Sequence, residues 1–239
     1  MRFSICLLLI GISSLTAAES HFDIGLKSYE DGDYAAAIAA FEAQLAEEAT
    51  GAARHNLALA HYQLGQPAEA VWQFERALRL APHDEAYHYK LAALRGQLGL
   101  PPGEPGWWTL LSQALGPGAW VLLLAGSFWI FLGTWLLPRF AGRPLRLPGR
   151  ALLLLSSLGL ILGSTALFLH RDLADRGICL AENPTELRAA PAAAAPQTGI
   201  ARPGERARPL ERHNAYVKVR TEGGAEGWIE ETKFRSIKP

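Results

Sequence analysis

Cysteine is almost missing from this chain: 239 residues hold 2, at positions 6 and 179. Cys6 falls in an N-terminal stretch that we expect to be removed, which leaves Cys179 alone and excludes an intramolecular disulfide in the mature protein. Cys179 precedes strand-like residues and reads as a small buried hydrophobe. An excess of either charge is missing too, with 23 Lys+Arg against 23 Asp+Glu. No segment is basic enough to make nucleic acid a partner. The usual signatures of catalysis are also wanting. His55 and His61 are six apart and His83 and His88 five apart, spacings that do not place two metal ligands on one helical face. Neither a nucleophile elbow, a P-loop nor an HExxH pattern occurs. We therefore expect no enzyme, no cofactor and no metal.

The balanced total hides zoning. Residues 19–105 carry 13 acids against 6 basic residues, 139–150 carry four arginines and no acid, and 171–239 carry 10 acids against 12 basic residues. Two stretches, 118–138 and 151–169, lack charge altogether. Nineteen helical residues reach roughly 29 Å, about the thickness of a bilayer's hydrocarbon core, so both are expected to span a membrane. Trp107, Trp108 and Trp120 lie near one end of the first span and Trp135 near the other, as interfacial belts require. The N-terminus, residues 1–18, has one Arg, an apolar run and Thr16-Ala17-Ala18, the layout of a cleaved signal peptide. Export of residues 19–105 then sends the first span inward, and Arg139, Arg143, Arg146 and Arg150 hold the 139–150 loop in the cytoplasm. The second span returns the chain outward, leaving both soluble segments extracytoplasmic. The spans contain no ionisable group, which argues against a transporter, proton relay or channel. Gly159 and Gly163 form a GxxxG, and Gly126 and Gly133 lie two turns apart, so either pair could pack helices closely.

Residues 19–98 repeat with a period of 33. "GDYAAAIAAFEAQL" from Gly32 aligns with "GQPAEAVWQFERAL" from Gly65, pairing Gly25 with Ala58, Ala37 with Ala70 and Phe41 with Phe74. This pattern resembles the tetratricopeptide repeat, a helix-turn-helix unit of about 34 residues. A third helix, 85–98, is expected to cap two repeats over 19–100, and a partner or oligomer could complete so short an array. The resemblance implies a groove on the first helices, lined by Phe22, Leu26 and Tyr29, then His55, Leu59 and Tyr62, then Tyr89 and Ala93. Such a groove would read apolar or aromatic side chains of a partner protein, and Glu19, Asp23, Glu30, Asp31 and Asp33 would favour basic flanks. Equally, several of these aromatics could simply complete the core.

Beyond residue 178, β-branched and aromatic runs alternate with Gly, Pro and charged turns, a small antiparallel barrel by spacing. Leu187-Arg188-x-x-Pro191, Gly204, Tyr216-Val217-Lys218-Val219 and Gly227-Trp228-Ile229 resemble the bacterial SH3-like domain over 178–239. Arg188, Tyr216 and Trp228 are its candidate core or ligand residues, although Tyr216 stands where that family usually has tryptophan. The resemblance implies wall peptides or proteins as ligands.

The whole order is that of a multidomain membrane protein: all-α tetratricopeptide array, two transmembrane helices and an all-β SH3-like barrel. With "WWTLLSQALGPGAW" leading into the first span and "HRDLADR" following the second, the chain resembles the BatE-type aerotolerance family over almost its full length. That resemblance implies an inner-membrane accessory of von Willebrand A-domain membrane proteins and a MoxR-type ATPase complex. The alternative is a peptidoglycan-binding or wall-sensing membrane protein.

Overall fold

Five helices open the described part of the chain, and four of them begin at a side-chain cap. In the computed structural model, which describes residues 20–101, 115–140, 142 and 147–238 apart from the side chains of 172–174, these are α1 (His21–Glu30), α2 (Tyr34–Glu47), α3 (Gly51–Gln63), α4 (Pro67–Leu80) and α5 (Glu85–Gln97). Ser20, Asp33, Thr50 and Asp84 each accept a backbone N–H from the first turn of α1, α2, α3 and α5. The fourth, α4, starts with Pro67, whose missing N–H costs nothing there. The segment proposed as a signal peptide, together with Glu19, Trp107, Trp108, Arg143 and Arg146, lies outside the described residues.

The first helix of each pair ends in the same turn. Gly32, Gly65 and Gly99 have φ of +80°, +74° and +65°. In each case the following N–H reaches back five residues: Asp33 to Ser28 O, Gln66 to His61 O, Leu100 to Arg95 O. Among the described residues, the array thus has three first helices and two second helices. Within the first pair the packing is tight: a Cβ at Gly25 would sit 2.5 Å from the Phe41 ring. Ala58 plays the same part beneath the second pair, buried with Phe74.

Two long helices follow, α6 (Pro117–Phe140) and α7 (Leu147–Ala174), both long and apolar enough to cross a membrane. Their seam lies on α7, where Ser156, Gly163 and Ala166 are buried. A Cβ at Gly159 would fall on Ser127 Oγ, and one at Gly163 would lie 3.1 Å from Leu124. The GxxxG is therefore the hairpin's own contact. Gly126 and Gly133 have nothing within 4 Å of an added Cβ and face away from α7. At the turn, Arg139 donates to Trp135 O at 3.1 Å and lies 4.0 Å from the Trp135 ring centre, while Arg150 is exposed in the first turn of α7. The helix continues past the expected end of the span at residue 169, and only Asp175 and Arg176 separate it from the barrel.

The barrel has seven antiparallel strands: β1 (Gly177–Cys179), β2 (Thr185–Arg188), β3 (Gln197–Ala201), β4 (Arg206–His213), β5 (Tyr216–Thr221), β6 (Glu226–Glu230) and β7 (Phe234–Ser236), in the order β3-β2-β6-β5-β4-β1-β7. A 3₁₀ turn, Glu231–Lys233, precedes β7. Alternation along β5 sends Val217 and Val219 inward to join Leu187, Ala201, Ala207, Ile229, Phe234 and Cys179. Burial pushes the Cys179 thiol up to about 12, consistent with a packing role. The Ala/Pro-rich stretch 189–196 is the loop between β2 and β3.

The barrel docks on the open end of the helical array. Ile178 and Ile237 enter the cluster of Ala58, Ala70, Val71, Trp72, Phe74, Leu91 and Leu94. Each large apolar side chain buried there contributes roughly 1.5–3 kcal/mol. Trp72 Nε1 donates to Ser236 O at 2.9 Å, and Arg235 pairs with Glu69 at 3.0 Å while lying 4.6 Å from the Trp72 ring centre. Arg206 bonds Glu75 at 2.5 Å, and Arg202 donates to Gly99 O at 2.9 Å. Arg95 is fully buried, pairs with Glu222 and donates to Pro101 O at 3.0 Å. Burial and nearby Arg206 lower Arg95's pKa, opposed by Glu222 and Glu75. At Gly204, whose φ is +73°, an added Cβ would lie 3.1 Å from Val71 and 3.2 Å from Leu98. The chain's own barrel therefore packs against α4 and α5.

Candidate interaction surfaces

Two surfaces stay open on this head. The first is the face shared by α1, α3 and α5. Tyr29 and Tyr62 come from the same position in successive repeats, as do Gln63 and Gln97. Gln63 Nε2 donates to Tyr29 Oη at 3.3 Å, and Tyr62 Oη donates to Gln97 Oε1 at 2.9 Å. These two rungs hold the three helices side by side. Gln63 and Gln97 were not singled out from the sequence, although their spacing of 34 is that of the turn glycines Gly65 and Gly99.

The expected groove residues divide by exposure. Tyr89 is 72% exposed and Tyr62 41%, free to meet a ligand. Phe22, Leu26 and Tyr29 are half-buried against Ala37, Phe41, Leu57 and Ala60. Leu59 likewise packs on the second cluster. His55 is wedged between two rings, stacked on Tyr87 at 4.6 Å and edge-on to Phe74 at 5.3 Å. Its Nδ1 is buried with no hydrogen-bond partner. Burial lowers its pKa, with Asp84 opposing and Lys90 adding, which disfavours the charged ring. Asp23, Glu30, Asp31 and Asp33 are exposed around the N-terminal end.

The second surface is a groove of about 340 Å³ on the barrel, and it unites Arg188, Tyr216 and Trp228 with Pro184, Glu186, Glu230 and Lys233. Strand pairing explains the convergence: Arg188 and Trp228 are opposite on β2 and β6, and Tyr216 faces Glu230 across β5 and β6. Trp228 is only 7% exposed, its ring 6.4 Å from His213. Arg188 is held by Ala195 O and Glu186, both at 3.0 Å, and Lys233 pairs with Glu230 at 3.0 Å. The groove therefore offers ring surface between two rims that each carry both charges. Glu186, Glu230 and Lys233 escaped sequence reasoning because turn-flanking charges look like ordinary solvated surface. Among the described residues, no group of His, Cys, Asp and Glu could hold a metal ion.

Comparison with known families agrees with this architecture. A tetratricopeptide repeat model matches residues 51–94, which span α3 to α5, and a bacterial SH3 domain model matches 184–233, from β2 to the 3₁₀ turn. No curated protein matches the chain. The class is defined by these parts: a tetratricopeptide array and a bacterial SH3 domain joined to two candidate membrane helices. Both kinds of domain are typically non-catalytic, and together they support a protein-interaction or wall-binding role. The two apolar helices point to membrane association, and a bacterial SH3 domain to an extracytoplasmic location.

Proposed function

We propose that the protein is a non-enzymatic scaffold of the bacterial inner membrane that recruits partner proteins outside the cytoplasm. The observation that carries this reading is the docked head: the helical face and the barrel groove belong to one unit, joined by Asp175 and Arg176 to α7. A binder of this build holds two ligands in fixed relation to each other and to the membrane. The exposed Tyr62 and Tyr89, with acidic neighbours, suit an apolar or aromatic segment with basic flanks. Family resemblance supplies von Willebrand A-domain membrane proteins and a MoxR-type ATPase complex as the partners, in an aerotolerance or envelope-stress assembly of BatE type. In this reading Arg139, Arg143, Arg146 and Arg150 keep the hairpin turn cytoplasmic, and residues 1–18 are the export signal.

Tyr62→Ala with Tyr89→Ala tests the helical face without opening the core. Aromatic hot spots are worth about 2 kcal/mol or more each, so the pair is expected to cut partner capture in membrane co-purification by at least tenfold. Unchanged capture would remove that face from the account. A wall-binding reading draws support from the barrel groove. Tyr216→Ala with Lys233→Ala should abolish retention on isolated wall material under that reading, and leave capture by the helical face unaltered.

A further inference from the structure

Three arginines gather around Trp72 at the joint between array and barrel. The ring is fixed there, because its Nε1 donates to Ser236 O at 2.9 Å. Arg76, one turn further along α4, places its guanidinium carbon 4.7 Å from the ring centre, and Arg235 of β7 lies 4.6 Å from the same centre. Arg54 comes from α3 and is only 8% exposed. Its Nη1 donates to Gln73 Oε1 at 3.1 Å, which holds it against the same stretch of α4.

The charges in this cluster do not balance. Arg235 has a carboxylate, Glu69, at 3.0 Å. Among the described residues, the hydrogen bond of Arg54 goes to a neutral amide, and the contact of Arg76 is the indole ring. Burial, then the charges of Arg54, Arg235 and Arg79, lower the Arg76 pKa to about 10, and all three of those neighbours are cations. The group still carries its proton at neutral pH. Burial lowers the Arg54 pKa as well. Arg79 has Glu75 and Asp175 acting on it in the opposite sense. Arg54, Arg76 and Arg235 against Glu69 therefore leave an excess of two positive charges. A half-buried guanidinium among other cations is unfavourable until an anion meets it.

We propose that Arg54, Arg76 and Arg235 form a binding site for one phosphate group at the array–barrel joint. Net charge favours that group, since a phosphate carries about −1.5 to −2 at pH 7 and a carboxylate half as much. Arginine also suits it in shape, because the fork of N–H donors takes two phosphate oxygens at once. The donors are in place beforehand, Arg76 against Trp72 and Arg54 against Gln73, so little ordering is lost on binding. A phosphate there would touch α3, α4 and β7 together and so strengthen the docking of barrel on array. The site shares no residue with the helical face or the barrel groove, and it is independent of which protein the head recruits. Inorganic phosphate and a phosphate monoester present the same chemistry to it.

The test uses the full chain purified in detergent and titrated by calorimetry with inorganic phosphate, glycerol 3-phosphate or acetate at fixed ionic strength. One phosphate group is expected to bind with a Kd of about 1 mM or tighter, and acetate about tenfold more weakly. Tighter binding of glycerol 3-phosphate identifies a monoester as the ligand, and tighter binding of inorganic phosphate identifies the free ion. Arg76→Gln should weaken phosphate about tenfold or more, as loss of a charge-assisted hydrogen bond requires. Glu69→Gln takes the carboxylate out of the cluster and should tighten phosphate several-fold, a gain that misfolding cannot produce. Arg220→Gln, in an exposed pair with Glu226, should leave binding unchanged. No saturable binding to the parent chain, or acetate binding as well as phosphate, would overturn the site. Binding that neither Arg76→Gln nor Glu69→Gln alters would mean an adventitious ion only, and would overturn it too.

Discussion

Glu222→Ala is expected to lower the stability of the full chain by about 3 kcal/mol, the lower end of the range for breaking a buried ion pair. Arg95 has no exposed side-chain surface, whereas Glu222 keeps 22% of its own, which is why the lower end applies. Removal of the carboxylate leaves a buried guanidinium without its counter-ion, held among the described residues by the carbonyls of Pro101 and Gly204. Because Arg95 belongs to α5 and Glu222 follows β5, the loss should appear in both modules. Denaturant unfolding gives the magnitude, and hydrogen exchange should show faster opening in α5 and in β5–β6 together. A change below about 1 kcal/mol, or one confined to the barrel, would mean that the modules are not coupled through this pair.

Phe74→Ala is expected to cost about 3–5 kcal/mol, the ordinary consequence of deleting a large buried ring that its surroundings cannot refill. The ring is 2% exposed and shares its cluster with Ile178 and Ile237 from the barrel. In an isolated repeat the damage would end at α3 and α4. Here it should also speed amide exchange in β1, whose Ile178 packs into the same cluster. Full protection of β1 in a Phe74→Ala chain would contradict a shared core.

Local structure was legible from the residues themselves. Gly32 and Gly65 mark the turns of the repeat, and the 33-residue spacing pairs Phe41 with Phe74; all four do in the structure what that period requires. The arrangement of elements, helical array, two apolar helices and antiparallel barrel, followed from the same patterning. Docking of barrel on array did not. Its contacts join residues far apart in sequence, Trp72 to Ser236 and Glu75 to Arg206, and no periodicity links them. Arg95 looks like one more surface charge on a polar helix until Glu222 is placed beside it. The candidate sites split the same way. Tyr62 and Tyr89 stand open as repeat geometry implies, but His55 faces Phe74 and Tyr87 because α5 folds back over it. Arg188, Tyr216 and Trp228 meet in one groove, while the charges at its rims depended on strand register that the sequence does not display.

The account requires that array and barrel share one side of the membrane, since they are docked, and that this side be the outer one. Reporter fusions read this directly in intact cells. Fusions after Gly103 and after Pro239 should both be active outside the cytoplasm, and a fusion at Gly142 should be active inside. A C-terminus that reports from the cytoplasm, with the fusion after Gly103 outside, would contradict it.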